Sequence, residues 1–134
     1  GIKFLKKKEM QKETKEILDD LAIKVKSVSS KVEFLSGGQR QSIAIGKAVA
    51  SNPRVLIMDE PTSALAVAEV ESVLNLINKV KSLKVSVILI THRLQDIFKV
   101  CDRIMVLYEG RNVAERKINE TDLSEIVSLI VAEH

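Results

Sequence analysis

The chain has 134 residues, a formal net charge of +3 at pH 7 and a 46% share of hydrophobic residues. This length suits one domain of ordinary size and is too short for two. Glutamates interleave with the lysines near the start of the chain, and only 3% of the residues are aromatic. A solvated helix face is therefore favoured there over a nucleic-acid-binding surface, and we expect no nucleic-acid partner.

Signals for targeting and for disulfides are sparse. Because Cys101 is the only cysteine, an intramolecular disulfide is excluded, and the composition fits a reducing compartment. For Cys101 itself, a role as a small buried apolar residue is favoured over a role as a catalytic thiol. The longest uncharged apolar run, residues 85–90, is far shorter than a bilayer span. No secretory signal peptide is evident, so the chain is expected to be soluble and cytoplasmic, with any membrane role indirect.

Two helices are predicted in the first third of the chain. Apolar residues at helical spacing predict the first over residues 6–21, and residues 23–34 are irregular. The second runs from about residue 39 to residue 50 and is ended by Asn52 and Pro53. The buried stripe of the first helix is expected to comprise Met10, Ile17, Leu18 and Leu21.

The start of the second helix is suited to binding an anion. Ser36 can cap the free backbone amides, and Gln39, three residues on, can bond back to it as a capping box. Gly37 and Gly38 allow close approach to the backbone. Because unpaired N–H groups and the positive end of the helix dipole point the same way, this end of the helix attracts anions.

A strand–helix–strand unit follows. The apolar run of residues 55–58 predicts a buried parallel strand that delivers Asp59 and Glu60 to its C-terminal edge, where ligands bind in open α/β sheets. A helix is predicted from residue 67 to residue 82, and the apolar run of residues 85–90 predicts a second buried strand. The apolar face of the helix comprises Val70, Val73, Leu74, Ile77 and Val80.

The last third predicts a short helix, a hairpin and a final helix. The helix covers residues 94–101, and strands at residues 103–108 and 112–118 are expected to pair through a turn at Glu109-Gly110. Thr121 is expected to cap the last helix. Its apolar stripe comprises Leu123, Ile126, Val127 and Ile130.

Several of these stretches together resemble one family. Leu35-Ser36-Gly37-Gly38-Gln39 resembles, letter for letter, the signature motif of the ATP-binding cassette (ABC) ATPases. Residues 55–60 resemble the Walker B strand with the catalytic glutamate attached, and residues 63–65 the start of the D-loop. His92, after the second apolar run, resembles the switch histidine. The block of residues 69–112 looks most like ATPase subunits of bacterial or archaeal sugar importers of the ribose type.

The resemblance implies an α/β fold: a partial P-loop NTPase (ABC ATPase) core with a parallel sheet flanked by helices. Part of the helical subdomain, a C-terminal β-hairpin and a helix would complete it. It further implies one nucleotide-binding domain over residues 1–134 that lacks its Walker A part. The helical and signature region would cover residues 1–52, and the Walker B and H-loop part residues 53–134.

The resemblance also implies a role for each site residue. Asp59 would hold Mg²⁺ through water, Glu60 would be the general base, and His92 would sense the γ-phosphate of ATP. The plain alternatives are a helix-capping acid, a surface glutamate and a polar residue that ends a strand. For Arg40 and Arg93, solvated charge is favoured over a phosphate contact. The signature residues Ser36, Gly37, Gly38 and Gln39 would contact a γ-phosphate held by the other subunit of a dimer.

The sequence departs from the family pattern at three places. A Walker A loop needs Gly, four residues, then Gly-Lys-Ser or Gly-Lys-Thr; the only Gly-Lys, at Gly46, has no glycine five residues earlier. Ala66 replaces the aspartate of the D-loop, which is expected to weaken communication across a dimer. Ala22 stands where related sequences commonly have glycine, which is expected to alter the exit of the first helix.

The missing Walker A part shapes the expected partners. They are a Walker A-bearing half or second nucleotide-binding subunit, and the membrane subunits of a transporter. Alone, the chain is expected to bind ATP and Mg²⁺ weakly. Because residues 85–90 would form an unpaired edge, we expect either that the strand at residues 103–108 pairs with it or that the chain self-associates as a homo-oligomer. The first hypothesis for function is the ATP-hydrolysing component of an ABC transporter that energises sugar import, with negligible activity when alone. The second is a noncatalytic interaction or scaffold module that self-associates or docks on a partner.

Overall fold

The computed structural model describes residues 6–131. Their helices and strands confirm the predicted elements within about two residues, and the chain divides into two compact units between Ile88 and Leu89. The prediction of a single domain with a boundary at residue 52 stays a prediction. The elements are α1 Lys7–Asp20, α2 Gly37–Val49, β1 Val55–Asp59, α3 Val67–Ser82, β2 Ser86–Ile90, α4 Leu94–Val100, β3 Arg103–Tyr108, β4 Arg111–Lys117 and α5 Leu123–Val131.

Three helices build the core of the first unit. Leu21 and Ile23, just after α1, reach α2 beside Gly46, where an added Cβ would lie 3.1 Å from Ile23 Cδ1. Leu18 is also buried, but Met10 is half exposed, so the predicted stripe of α1 is wrong at its N-terminal end. Burial is confined to the last turn and the residues after it, because α1 contacts α2 there.

Helix α3 supplies half of the buried apolar side chains described in this unit. Its predicted apolar face is confirmed, with Leu76 as an addition, and α3 packs against α2. The repeat of three and four residues keeps these side chains on one side of the helix, so burying them fixes its rotation. The buried residues are Val70, Val73, Leu74, Leu76, Ile77 and Val80.

Strands β1 and β2 form a two-stranded parallel sheet, and α3 is the crossover between them. The prediction that both strands are buried is wrong, because burial alternates along each. Met58 is buried, but Ile57 is 63% exposed. A continuous apolar run does not reveal whether both faces are covered, and in the described residues only one is. The half-exposed apolar residues of the two strands are Val55, Ile57, Ile88 and Ile90.

Strand β3 pairs with β4 and not with β2, so the prediction that it closes the edge of the first sheet is wrong. The β3–β4 ladder is antiparallel and confirms the predicted hairpin. Glu109 and Gly110 both have positive φ, 44° and 75°. That conformation matches the right-handed twist of the two strands, so the hairpin forms locally.

The core of the second unit is small and centres on Ile97, Ile104, Val106 and Ile126. Cys101 is half-buried and packs against it, which agrees with a structural role for that residue. The predicted stripe of α5 is wrong apart from Ile126, which is fully buried. The inward line of α5 passes through Ile126 and Leu129, three residues apart, and leaves the other predicted residues half exposed.

The start of α5 also differs from the prediction. Asp122 Oδ1 accepts the N–H of Glu125 at 2.8 Å, so Asp122 is the capping residue and not Thr121. The Thr121 hydroxyl instead donates to Glu125 Oε2 at 2.6 Å. Both Thr and Asp are common N-cap residues, and the position of the first helical turn decides which of the two caps α5. None of the helices between residues 6 and 131 has the length and hydrophobicity needed to cross a membrane.

Candidate functional site

The N-terminus of α2 is held by the predicted capping box. The Gln39 N–H donates to Ser36 Oγ at 3.3 Å, and the Ser36 N–H donates to Gln39 Oε1 at 3.1 Å. Ser36 has extended backbone angles, as an N-cap requires. The capping box is therefore confirmed, and it orients the first turn of α2.

A carboxylate from α3 lies at this helix start. The Gly38 N–H donates to Glu69 Oε1 at 3.1 Å, and the Ala66 N–H donates to Glu69 Oε2 at 3.1 Å. Hydrogen bonds from the Ser36 hydroxyl, then from the Gly38 and Ala66 backbone, lower the pKa of Glu69. One side chain therefore joins the N-terminal ends of α2 and α3.

Glu69 is a site residue that sequence reasoning missed. Its spacing from Ala66 is that of a capping box, which was a usable signal for the contact at the start of α3. Ala66 has no side-chain oxygen, so only half of that box forms. The contact with Gly38, 31 residues earlier in the chain, carries no local signal and depends on how α2 and α3 pack.

Gly38 is required by this close approach. A Cβ added at residue 38 would lie 2.7 Å from Glu69 Cβ. Non-bonded carbon atoms do not approach so closely, so α2 or α3 would have to shift. Gly37 is less restricted, because its added Cβ would lie 3.0 Å from Leu65 Cδ2, the end of a flexible side chain. The packing of α3 therefore requires glycine at residue 38 and restricts residue 37 less.

A cleft of about 660 Å³ opens beside this helix start. Its wall includes the signature residues Ser36, Gly38 and Gln39, together with Glu69. Lys24 and Lys79 also line it, so both charge signs face the same space. The remaining wall is formed by Leu21, Ala22, Ile23, Ser42, Ala68, Ser72, Asn75 and Leu76.

The two acids lie at the C-terminal end of β1, as the sequence predicts. Asp59 is the last residue of the strand and is exposed; Glu60 is half-buried, with a φ of 46°. A glutamate with positive φ is uncommon, and such conformations occur often at functional sites. Thr62, two residues on, is buried, which anchors the turn.

The resemblance implies that the chain binds Mg²⁺ and ATP, and the two acids suit the Mg²⁺ ion. Mg²⁺ takes one or two carboxylates and completes its shell with water and phosphate oxygens, so an exposed Asp59 next to Glu60 suits it. In residues 6–131, no cluster of three or more His, Cys, Asp or Glu side chains forms a complete metal cage. The phosphate cradle with its lysine is not encoded in the 134 residues. The metal and base roles stay predictions.

His92 lies in the second unit, after β2, and is exposed. Its neighbour Arg93 donates from Nε to Asp96 Oδ2 at 2.9 Å, and Asp96 is buried. The Arg93 side chain is thus paired with Asp96 while it stays 39% exposed, and the expectation of solvated charge there stays a prediction. Arg40 donates to the Leu35 carbonyl at 2.6 Å, which ties it to the backbone before the signature helix. The roles predicted for His92 and for the signature residues stay predictions.

Known proteins resemble this chain over nearly its whole length. The family model described as ABC transporter matches residues 2–63. The xylose/arabinose import ATP-binding protein of Sulfolobus acidocaldarius is 41% identical over 96% of the chain. A ribose import ATP-binding protein of Bacillus licheniformis is 39% identical over 96%. A solved ATP-binding cassette of an ABC transporter covers 98% of the chain with a TM-score of 0.80 and 27% identity.

The fold and the motifs define a fragment of an ATP-binding cassette. The chain belongs to the ABC transporter ATP-binding family and is related to sugar importers. It spans 51% of the Sulfolobus protein, 26% of the Bacillus protein and 52% of the solved cassette. These shares confirm that only part of the nucleotide-binding domain is present.

Proposed function

We propose that the chain is the signature- and Walker B-bearing part of an ATPase that energises sugar import. The order of four motifs, in a chain 41% identical to a sugar import ATP-binding protein, carries this proposal. The capped start of α2 and the adjacent acids after β1 support it, because they are the groups that phosphate and Mg²⁺ need.

Each site residue has a role in the proposal. Asp59 holds Mg²⁺ through water, and Glu60 accepts a proton from the water that attacks the γ-phosphate. His92 contacts that phosphate group. When bound, Mg²⁺ would neutralise charge on the phosphate oxygens. The remaining contacts to the phosphate come from the signature residues Ser36, Gly37, Gly38 and Gln39, across a dimer.

The proposal requires other polypeptides. ABC cassettes dimerise and work with membrane subunits. The chain would thus act with a Walker A-bearing half or a second nucleotide-binding subunit. It would lie in the cytoplasm, at the inner face of the cell membrane. Alone it would have negligible activity, because the main phosphate cradle and its lysine are absent from these 134 residues.

Fragment complementation tests this function. ATP hydrolysis is measured for the chain alone, for a Walker A-bearing fragment of a related cassette, and for the mixture. We expect turnover only in the mixture, and a loss of at least a hundredfold in Glu60→Gln, in line with removal of a general base. Exposed Glu13 on α1 provides a matched control, because Glu13→Gln makes the same change in charge. Turnover by the chain alone that disappears in Glu60→Gln would contradict the need for a partner.

A noncatalytic interaction module is the second candidate. The half-exposed apolar side chains of β1 and β2, such as Ile57 and Ile88, favour it, because surfaces of this kind mark contact sites. Such a module would self-associate or dock on a partner through the sheet. Partner binding unaffected by ATP and by Asp59→Asn would support this candidate. Light scattering that gives a strict monomer would exclude self-association.

A further inference from the structure

The start of α2 is already occupied by groups of the chain itself. Glu69 Oε1 accepts the Gly38 N–H at 3.1 Å. The side chain of Gln39 is also engaged, since its Oε1 accepts the Ser36 N–H and its Nε2 donates to the Lys24 carbonyl at 3.2 Å. The backbone N–H groups of Ser36, Gly38 and Gln39, three of the four residues assigned above to a partner's γ-phosphate, are thus used internally.

Glu69 resembles a phosphate group because it presents negatively charged oxygen atoms to these N–H donors. It brings a carboxylate, which two N–H groups hold at 3.1 Å, to the positive end of a 13-residue helix. A phosphate oxygen that took the Gly38 N–H would need to lie at about 2.9 Å from the same nitrogen. The two anions exclude each other there, both by space and by charge.

A path for the carboxylate to leave is present. The cleft of about 660 Å³ is lined by Glu69 itself and by Lys24 and Lys79. Rotation of the Glu69 side chain into that space would keep it solvated, in a cleft that the two lysines also line. The hydrogen bond from the Gly38 N–H is accepted by the end of a long side chain, so rotation of that side chain would break it while Glu69 Cβ stays packed beside Gly38.

We propose that Glu69 is an internal ligand that keeps the signature anion site closed until a phosphate group displaces it into the cleft. This inference rests on the proposed function, which makes the start of α2 a phosphate site. The same carboxylate holds the Ala66 N–H at the start of α3. Displacement therefore releases the D-loop end of α3 together with the signature helix.

Inorganic phosphate titrated into the ¹⁵N-labelled 134-residue chain tests the proposal, with the Gly38 and Gln39 amide resonances as the readout. We expect half-saturation in Glu69→Ala at about a tenfold lower phosphate concentration than in the wild type. Glu69→Gln should lie between them, because its amide oxygen still accepts a hydrogen bond but carries no charge. Glu13→Gln, with the same change in net charge, should match the wild type.

Two results would overturn the proposal. The first is half-saturation at the same phosphate concentration in all four proteins. The second is a phosphate response confined to residues away from the start of α2, which would mean an adventitious ion only. If Glu69→Ala does not fold, the comparison of Glu69→Gln with Glu13→Gln decides. Complementation separates this inference from the proposed function. Turnover that depends on Glu60, with no effect of Glu69 on phosphate binding, would sink the inference alone. Turnover in the mixture that is independent of Glu60 would sink the proposed function.

Discussion

The backbone N–H of Ile23 donates to the carbonyl of Leu18 at 2.8 Å and closes the C-terminal end of α1. The Ala22 N–H donates to the Asp19 carbonyl at 3.0 Å, which completes a Schellman motif. This motif places Ala22 in the left-handed region, with a φ of 55°. A glycine adopts that conformation without the steric cost that the alanine Cβ brings. The departure from the family pattern at this residue therefore has a physical consequence for the exit of α1.

Ala22→Gly should raise the free energy of unfolding by about 1 kcal/mol, because it removes the strain of a Cβ at positive φ. Urea denaturation followed by circular dichroism measures the change. Ala44 is exposed inside α2 and provides the matched control. The same substitution there, Ala44→Gly, should lower stability by about 1 kcal/mol. Destabilisation by both variants would contradict the assignment of strain to Ala22.

Ala66→Ser should stabilise the start of α3. Ala66 is an N-cap with extended backbone angles but no side-chain acceptor, so Glu69 supplies only half of a capping box. A serine hydroxyl would accept the Glu69 N–H and add about 1 kcal/mol to the free energy of unfolding. In Ala68→Ser, the hydroxyl would lie within the helix and lower stability by up to about 0.5 kcal/mol. Equal effects of the two variants in urea denaturation would argue against a capping defect at residue 66.

Glu125 should make stability depend on pH. The Thr121 hydroxyl, and then the Arg116 guanidinium at 2.7 Å, hold the pKa of Glu125 below its ordinary value of about 4.5. Because the folded-state pKa is the lower one, this contribution is present above about pH 4.5 and is lost as pH falls through the folded-state pKa.

The measurement is the difference in free energy of unfolding between the wild type and Glu125→Gln. It should favour the wild type at about pH 7 and shrink steadily below about pH 4.5. The exposed Glu13→Gln should stay within about 0.5 kcal/mol of the wild type at pH 7. A difference that grows as pH falls would have the wrong sign and would contradict the account of this cluster.

The core of the second unit should depend on one side chain of α5. Ile126 is fully buried and contacts the cluster that contains Ile97 and Ile104. Ile126→Ala should therefore cost about 2–5 kcal/mol, because it removes buried methyl groups and leaves a cavity. Val127→Ala, at the next and half-exposed position, should cost about 1 kcal/mol or less. Similar losses in thermal or urea unfolding would show that the packing of α5 differs from the one described.

Local signals predicted most of the fold. The bounds of α3 and β3 coincide with residues 67–82 and 103–108, because a clear repeat or a run between turn residues marks each of them. The hairpin turn at Glu109-Gly110 and the capping box of Ser36 and Gln39 follow from residue types at fixed spacing. Each of these features depends on neighbours within a few residues along the chain.

Features that depend on distant parts of the chain could not be predicted in this way. The half-exposed Val55, Ile57 and Ile88 belong to runs that look buried, but which face is covered depends on the rest of the sheet. The contact of Glu69 with Gly38 depends on the packing of α2 against α3. The site motifs were visible because they are short and occur in a fixed order, whereas Glu69, which accepts the Gly38 N–H, lies outside all of them.

We infer that this chain carries one wall of an ATP site and needs a Walker A partner for the other. Calorimetric titration of MgATP measures this requirement for the chain alone, for a Walker A-bearing fragment alone, and for the two together. We predict weak or no binding to the chain alone and tighter binding to the mixture than to either component, reduced by Asp59→Asn. Saturable binding to the chain alone that neither the fragment nor Asp59→Asn changes would contradict the account.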